Sequence, residues 1–329
     1  MRNAYIVDYE LYIPNTFIDY KTLAIETGLP DWVIKDKMGI VRKPIERSLS
    51  VSDMAKLVAK KLMSKYNVKV DLVAYAGSDF KDKYVWDVAP DVINELGIEG
   101  AYGVDLSMQC VSSIVALDLL KSKLQTTGND SHVLMVIATK QSMIVNYKDK
   151  ASSFMYDFSD GAAAVLLSNV DGKYRILESS IITDGRFSNV VYQRLGERFY
   201  SVNDANQDYL LQVNRTDEFN KIFESVSFNN FINVIKSAVE RSGLALRDVD
   251  YLAILHMKRS FHEKILKELG IPPDRTIYLE NYGHMQAVDP FLSLWLAEQY
   301  GKTRKGSIIV LVAAGTGWTW GATVLQRIK

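Results

Sequence analysis

The sequence predicts an α/β protein built from two matching halves, residues 1–170 and 171–329. Three observations carry the prediction. Short runs rich in β-branched and other apolar residues alternate with longer helical segments, the pattern of βαβ units whose sheets are covered on both faces. The same order of elements occurs twice. And Leu-Gly-Ile recurs between matching elements, as Leu96–Ile98 and Leu269–Ile271. A chain of 329 residues also exceeds the usual size of one compact core.

In the first series, Tyr5-Ile6-Val7-Asp8-Tyr9 alternates like a strand, and 53–66 read as an amphipathic helix. A buried strand, Val70–Ala76, is followed by a helix ending at Glu95–Ile98, then a short strand at Val104–Leu106. A helix from about Cys110 to Leu124, a strand at His132–Ala138 and a closing strand at Asp160–Leu167 complete it. The second series repeats this with a helix near Phe231–Ser242, a strand at Val249–Leu255 and a helix ending Glu268–Ile271. A strand at Thr276–Leu279, a helix from Asp289 to Tyr300, and strands at Ser307–Val312 and Trp320–Leu325 follow. Any α/β protein echoes itself to some degree, but the shared tripeptide favours a duplication. Under this alignment Cys110 and His284 are counterparts, each in a turn before a helix, and a pseudo-dyad brings the two helix starts face to face. His256 falls just past the first strand of the second half, where α/β sheets carry their ligands.

Composition excludes several classes. The 39 basic and 39 acidic residues cancel, and the cations are scattered, whereas nucleic-acid binders cluster them against phosphates. One cysteine and four histidines, with His256 and His262 six apart, offer no metal-ligand spacing. A lone cysteine precludes an internal disulfide and fits a reducing compartment. No apolar run approaches the ~20 residues of a membrane span, and the N-terminus has no secretory pattern. A soluble, cytoplasmic protein is expected.

Cys110 reads in two ways. It is a small buried hydrophobe, the usual fate of an isolated cysteine, or a thiolate favoured by the N–H groups and dipole of a helix start. His132 and His262 look solvated; His256 and His284 are each structural or functional. Gly315–Gly321 is a tight β-turn or a source of backbone N–H groups for an oxyanion; no helix follows it, so a dinucleotide site is not expected.

Taken together these residues resemble a family, the ketoacyl synthase III branch of the thiolase superfamily, over essentially the whole chain. Asp31-Trp32 with Met38–Lys43 resembles its early Trp and "GIxxR" segment. Val104–Cys110 with Ser112 resembles its nucleophile motif, and Phe158–Ala164 its "GDGAGA" loop, with Ser159 for a glycine. Leu255-His256 matches the start of "HQAN", and Gly315–Gly321 resembles "GxGxTWG". The resemblance implies a thiolase-like fold, two duplicated βαβαβαββ halves in a layered αβαβα core. It further implies acylation of Cys110 by an acyl-CoA or acyl carrier protein, with the N–H groups of Cys110 and Thr316 binding the oxyanion. His256 and His284, the latter replacing the asparagine of "GNTSA", then assist decarboxylative condensation with a malonyl thioester. Trp32, Lys37, Arg259, Gly315 and Gly317 are the implied substrate-binding positions, Arg259 replacing the asparagine of "HQAN". Tyr84 and Trp86 fall in a loop that lines the acyl tunnel across a homodimer interface in relatives. No metal or permanent cofactor is implied, and the partners are the acyl thioester and a second copy of the chain.

Three other functions stay open. Gly283-His284 with Asp289 also resembles relatives that transfer acyl groups to a hydroxyl or amine, with His oriented by a carboxylate; Asp289 before Pro290 is equally a helix cap. A hydroxymethylglutaryl-CoA synthase-like reaction needs a carboxylate base, and Asp79 sits where that base falls. A non-catalytic partner subunit is the third.

Overall fold

A computed structural model describes residues 2–194 and 209–329. In chain order the elements are β1 (Ala4–Tyr12), β2 (Phe17–Asp19), α1 (Tyr20–Thr27), β3 (Arg42–Pro44), α2 (Val51–Met63), β4 (Leu72–Tyr75) and α3 (Val88–Leu96). Then come β5 (Tyr102–Asp105), α4 (Ser112–Thr126), β6 (His132–Thr139), β7 (Gly161–Ser168), β8 (Tyr174–Thr183), β9 (Val191–Tyr192), β10 (Gln212–Val213) and α5 (Asp217–Arg241). β11 (Tyr251–Ile254), α6 (Arg259–Leu269), α7 (Asp289–Gln299), β12 (Ile308–Gly315) and β13 (Thr319–Arg327) complete the chain.

Nine strands form one sheet in the order β11-β12-β13-β8-β1-β7-β6-β4-β5. Its middle is a short antiparallel junction of β1 with β8, from Ala4–Ile176 to Ile6–Tyr174. On either side the same partnerships recur: β1-β7-β6-β4 matches β8-β13-β12-β11, antiparallel twice and then parallel. α4 touches β1 and β6 of one wing and β8, β12 and β13 of the other, so it lies between them. α2 and α3 cover the outer face of the first wing; α5, with α6 beside it, covers the second. The layers therefore run αβαβα. Alternation along the strands sorts side chains between two cores: Val73, Tyr75, Leu134 and Val136 meet α2 and α3, while Ala74, Val133, Met135 and Ile137 join the larger central core. Burial on both faces is why these strands read as near-continuous apolar runs.

Local chemistry sets the helix limits. Ser50 and Asp53 form a reciprocal capping box that starts α2 at Val51, two residues before the sequence reading placed it. Gly97 and Gly270 adopt left-handed φ of 60° and 65°, and the following isoleucines donate back to Ile93 and Leu266 at 3.1 and 3.0 Å. The repeated Leu-Gly-Ile is thus a helix stop, which any helix can acquire. α5 begins at Asp217, well before Phe231, because Thr216 caps it by accepting from Phe219 N at 3.1 Å. Thr276–Leu279, expected as a strand, joins no ladder and is corrected to irregular chain.

The stronger echo lies elsewhere. Met108-Gln109-Cys110-Val111 and Met285-Gln286-Ala287-Val288 are matching 3₁₀ turns leading into α4 and α7. Gln109 and Gln286 share the left-handed region at φ 54° and 55°. Met108 N donates to Ser112 Oγ, and Met285 N to Asp289 Oδ1, both at 2.7 Å. The expected pairing of Cys110 with His284 is therefore corrected by three residues. Ala287 is the counterpart of Cys110, Ser107 of His284, and Ser112 of Asp289.

Candidate active site

Cys110 sits in the turn before α4, 4% exposed, at the wall of a cavity of about 610 Å³. Its place ahead of the helix sets the sulfur near the positive end of the dipole. Strand β12 ends against this turn: a Cβ added at Gly315 would stand 2.6 Å from Met108 O and 3.1 Å from Cys110 N. Only glycine permits that approach. Thr316 also lines the cavity.

His284 lines the cavity together with Cys110, and its Nδ1 is hydrogen-bonded to Asp289 Oδ2 at 2.6 Å. Burial alone would depress this imidazole, but the Asp289 carboxylate and the Cys110 sulfur outweigh it and hold the ring well above the ordinary histidine range. Gly283, at φ 62°, lets the turn pass where a Cβ would strike Asp157 O at 2.4 Å. Asp289 opens α7 ahead of Pro290, yet its side chain caps no N–H of that helix. It accepts from Met285 N at 2.7 Å and His256 N at 2.9 Å.

His256 follows β11 and is 2% exposed. Its Nδ1 lies 2.7 Å from Asp157 Oδ2 and its Nε2 3.1 Å from Gly39 O. A carboxylate and a carbonyl both accept, so each contact is a hydrogen bond when the ring nitrogen facing it carries the proton. Asp157 C=O also accepts from His284 N at 2.8 Å. Each aspartate therefore holds both histidines, one by side chain and one through backbone. Burial pushes the Asp157 carboxyl up, and the hydrogen bond and charge of His256, with the charges of His284 and Lys43, bring it below its usual range.

The structure brings together Cys110, His256, His284, Asp289 and Thr316, and leaves other expected residues apart. Trp32 is half exposed and stacks with Lys37, whose Nζ is 4.9 Å from the ring. Arg259 pairs with Glu280 and lies 4.3 Å over Tyr278. None of the three is among the cavity-lining residues, where Met38, Lys258 and Lys264 stand instead. Gly317 supplies a left-handed φ of 99° beside the cavity rather than a wall. Tyr84 is exposed and Trp86 packs on the outer core, so within one protomer neither lines the cavity. Asp79, expected where the base of a hydroxymethylglutaryl-type reaction falls, is exposed, hydrogen-bonded to Gln109 Nε2 at 3.5 Å, and is not among the residues lining the cavity. His262, expected in solvent, is buried against Tyr278, and burial, then His256 and Arg259, push it down to about 4.

The family model for 3-oxoacyl-[acyl-carrier-protein] synthase III matches residues 104–185, the segment with Cys110 and the 158–164 loop. The model for the C-terminal part of the same synthase matches 239–327, which carries His256, His284 and Asp289. The chain belongs to the 3-oxoacyl-[acyl-carrier-protein] synthase III family. Among its relatives, the β-ketoacyl-[acyl-carrier-protein] synthase III of Clostridium perfringens is 25% identical, covering 99% of this chain and 100% of that protein. The enzyme of the same name from Ehrlichia canis is 26% identical over the full length of both. The crystal structure of the synthase III from Pseudomonas aeruginosa superposes with a TM-score of 0.85 at 24% identity, covering 100% and 99% of the two chains. The chain is thus a condensing enzyme of the synthase III type with the thiolase-like fold, and its substrates are acyl thioesters. No helix among the described residues is long and apolar enough to cross a membrane.

Proposed function

We propose that this synthase III-type enzyme loads an acyl group from an acyl-CoA or acyl carrier protein onto Cys110, then condenses it with a malonyl thioester. The Cys110–His284–Asp289 chain of contacts carries this reading. In the first step the thiolate attacks the thioester carbonyl, the N–H groups of Cys110 and Thr316 receive the oxyanion, and the departing thiolate takes a proton from His284. In the second, malonyl loses carbon dioxide, the enolate attacks the acyl carbonyl, and the Cys110 thiolate is released as a 3-oxoacyl thioester forms. His256 and His284, the latter reprotonated from solvent once the first thiol has left, are the donors to the enolate oxygen, which requires His256 Nε2–H to leave Gly39 O.

That requirement favours a second reading, acyl transfer to a hydroxyl or amine. Both ring nitrogens of His256 are already engaged, whereas His284 alone faces the sulfur with a carboxylate behind it. With the acyl group on Cys110, His284 accepts the acceptor's proton as its oxygen or nitrogen attacks.

Trp32, Lys37 and Arg259 are assigned to outer contacts with the donor arm, and Gly315 and Gly317 to shaping the turn at Thr316. The halves 1–170 and 171–329 are taken as one duplicated unit. The protein is taken to be a cytoplasmic homodimer without a permanent cofactor. Support for the dimer comes from β5, which ends the sheet unpaired on one side, with Tyr84, Val85, Tyr102 and Met108 exposed near it.

Mass spectrometry of the intact chain after mixing with acyl-CoAs tests the first step; acylation absent in Cys110→Ala but present in the parent is expected. Adding malonyl-CoA separates the readings. Carbon dioxide with a 3-oxoacyl product supports condensation. An acyl-enzyme that is discharged by alcohols or amines, with malonyl-CoA left intact, supports transfer. No acylation by any thioester sinks both.

A further inference from the structure

We propose that Lys43 is a positioning residue that holds both site histidines in register through the segment Tyr156–Phe158. The inference rests on the proposed reading of Cys110, His256 and His284. An ammonium has three N–H donors and no acceptor, and here all three are used: Tyr147 Oη at 2.7 Å, Tyr156 O at 2.7 Å and Phe158 O at 2.6 Å. The two carbonyls flank Asp157, so one cation pins the residue between them.

That residue and its neighbours reach both rings. Asp157 Oδ2 takes His256 Nδ1, and Asp157 O takes His284 N. Phe158 pairs with His284 as an isolated bridge, Ser159 N donates to His284 O at 3.0 Å, and the Phe158 ring meets the His284 ring edge-on at 5.3 Å. The Lys43 stem also packs beneath the turn before His284, where a Cβ on Gly283 would stand 3.0 Å from Lys43 Cβ.

Lys43 is fully enclosed. Burial pushes its ammonium down to about 8 against the pull of Asp157, Asp160 and Glu26. A buried cation is costly unless paired and hydrogen-bonded, and an apolar residue of similar length would fill the same space. What lysine adds is the junction of three acceptors on two segments that converge only when the site is assembled.

The test uses the full chain labelled with ¹⁵N-histidine, whose four histidines make assignment tractable. In Lys43→Met the Nδ1–H resonances of His256 and His284 are expected to shift or broaden while His132 stays fixed. Turnover of the acyl-Cys110 enzyme should fall about tenfold to a hundredfold, as for a catalytic group misplaced by about 1 Å, with KM for the acyl thioester within roughly threefold. Lys43→Arg, which keeps charge and donors, should recover part of the rate. Resonances and turnover like those of the parent in Lys43→Met would overturn the proposal. Should that variant not fold, Tyr147→Phe decides in the same way: a few-fold loss with shifted resonances supports positioning, and no change overturns it. A parent chain that takes no acyl group on Cys110 fails the site reading instead, and the resonance comparison still judges Lys43.

Discussion

At Asp289 two carboxylate oxygens serve three donors, Met285 N, His256 N and His284 Nδ1, while its counterpart Ser112 accepts from Met108 N. Asp289→Ser should therefore keep the tie that holds the turn and lose the partner of His284. We expect a folded chain whose turnover falls roughly 10²- to 10⁴-fold, the range for losing a base's orienting carboxylate or the base itself, measured as discharge of the acyl-enzyme. The sign of the pH effect follows from the raised His284. Its contribution to stability is full below the unfolded histidine value of about 6.5 and is lost as pH rises through the higher folded value. That alkaline loss should shrink in Asp289→Ser, which removes the larger of the two causes and leaves Cys110. His262 acts oppositely. Its folded value near 4 means the unfolded chain binds the extra proton between about 4 and 6.5, so stability rises with pH across that window. At about 1.4 kcal/mol per tenfold change in proton affinity, up to roughly 3 kcal/mol is involved; urea titrations of His262→Phe should show a flatter profile there. Cys110, His256, His284 and Asp289 could be named as candidates from the sequence because they fall in segments that resemble family motifs, although each taken singly also had a structural reading. Asp157 and Lys43 could not, since the partner of Asp157 is 99 residues away and nothing periodic links them.

Among the elements, the end of β12 matters most to the site, because it passes the Cys110 turn without room for a side chain. Gly315→Ala would press a Cβ against backbone at Met108 O and Cys110 N. Overpacking of this kind costs about 1–3 kcal/mol, and the displaced turn should slow Cys110 acylation more than tenfold in single-turnover mass spectrometry. Gly128→Ala, with nothing within 4 Å of the added carbon, serves as the control and should leave both unchanged. Helix and strand positions were mostly legible from apolar periodicity. Thr276–Leu279 failed as a strand because its apolar residues pack on the core without a ladder neighbour, which a pattern of hydrophobicity cannot distinguish. The register of the two turns differs as well: the order of elements pairs Cys110 with His284, while the echo Met-Gln-x-Val pairs Cys110 with Ala287.

For the whole molecule, the repeated order of elements already contained the two wings and their covering helices. What it lacked was the junction, since nothing in either series announces that β1 and β8 pair and fuse the wings into one sheet. The exposed apolar groups near β5 belong to this scale as well. Sedimentation at micromolar concentration should return about twice the chain mass of 37.2 kDa, and Val85→Asp, a charge at a fully exposed apolar tip, should shift it toward the monomer. A parent sedimenting at single-chain mass would reject the dimer.

The placement of α4 between the wings has a consequence for biosynthesis. The strands of the first wing have all been made by Ser168, but the surface of α4 that meets β12 and β13 stays bare until residue 327 is made. At about 5–20 residues per second that interval lasts roughly 10–30 s. A nascent chain of this protein therefore carries an apolar, helix-lined surface for most of the second half of its synthesis. Chaperone demand should peak there and end as β13 slots between β8 and β12.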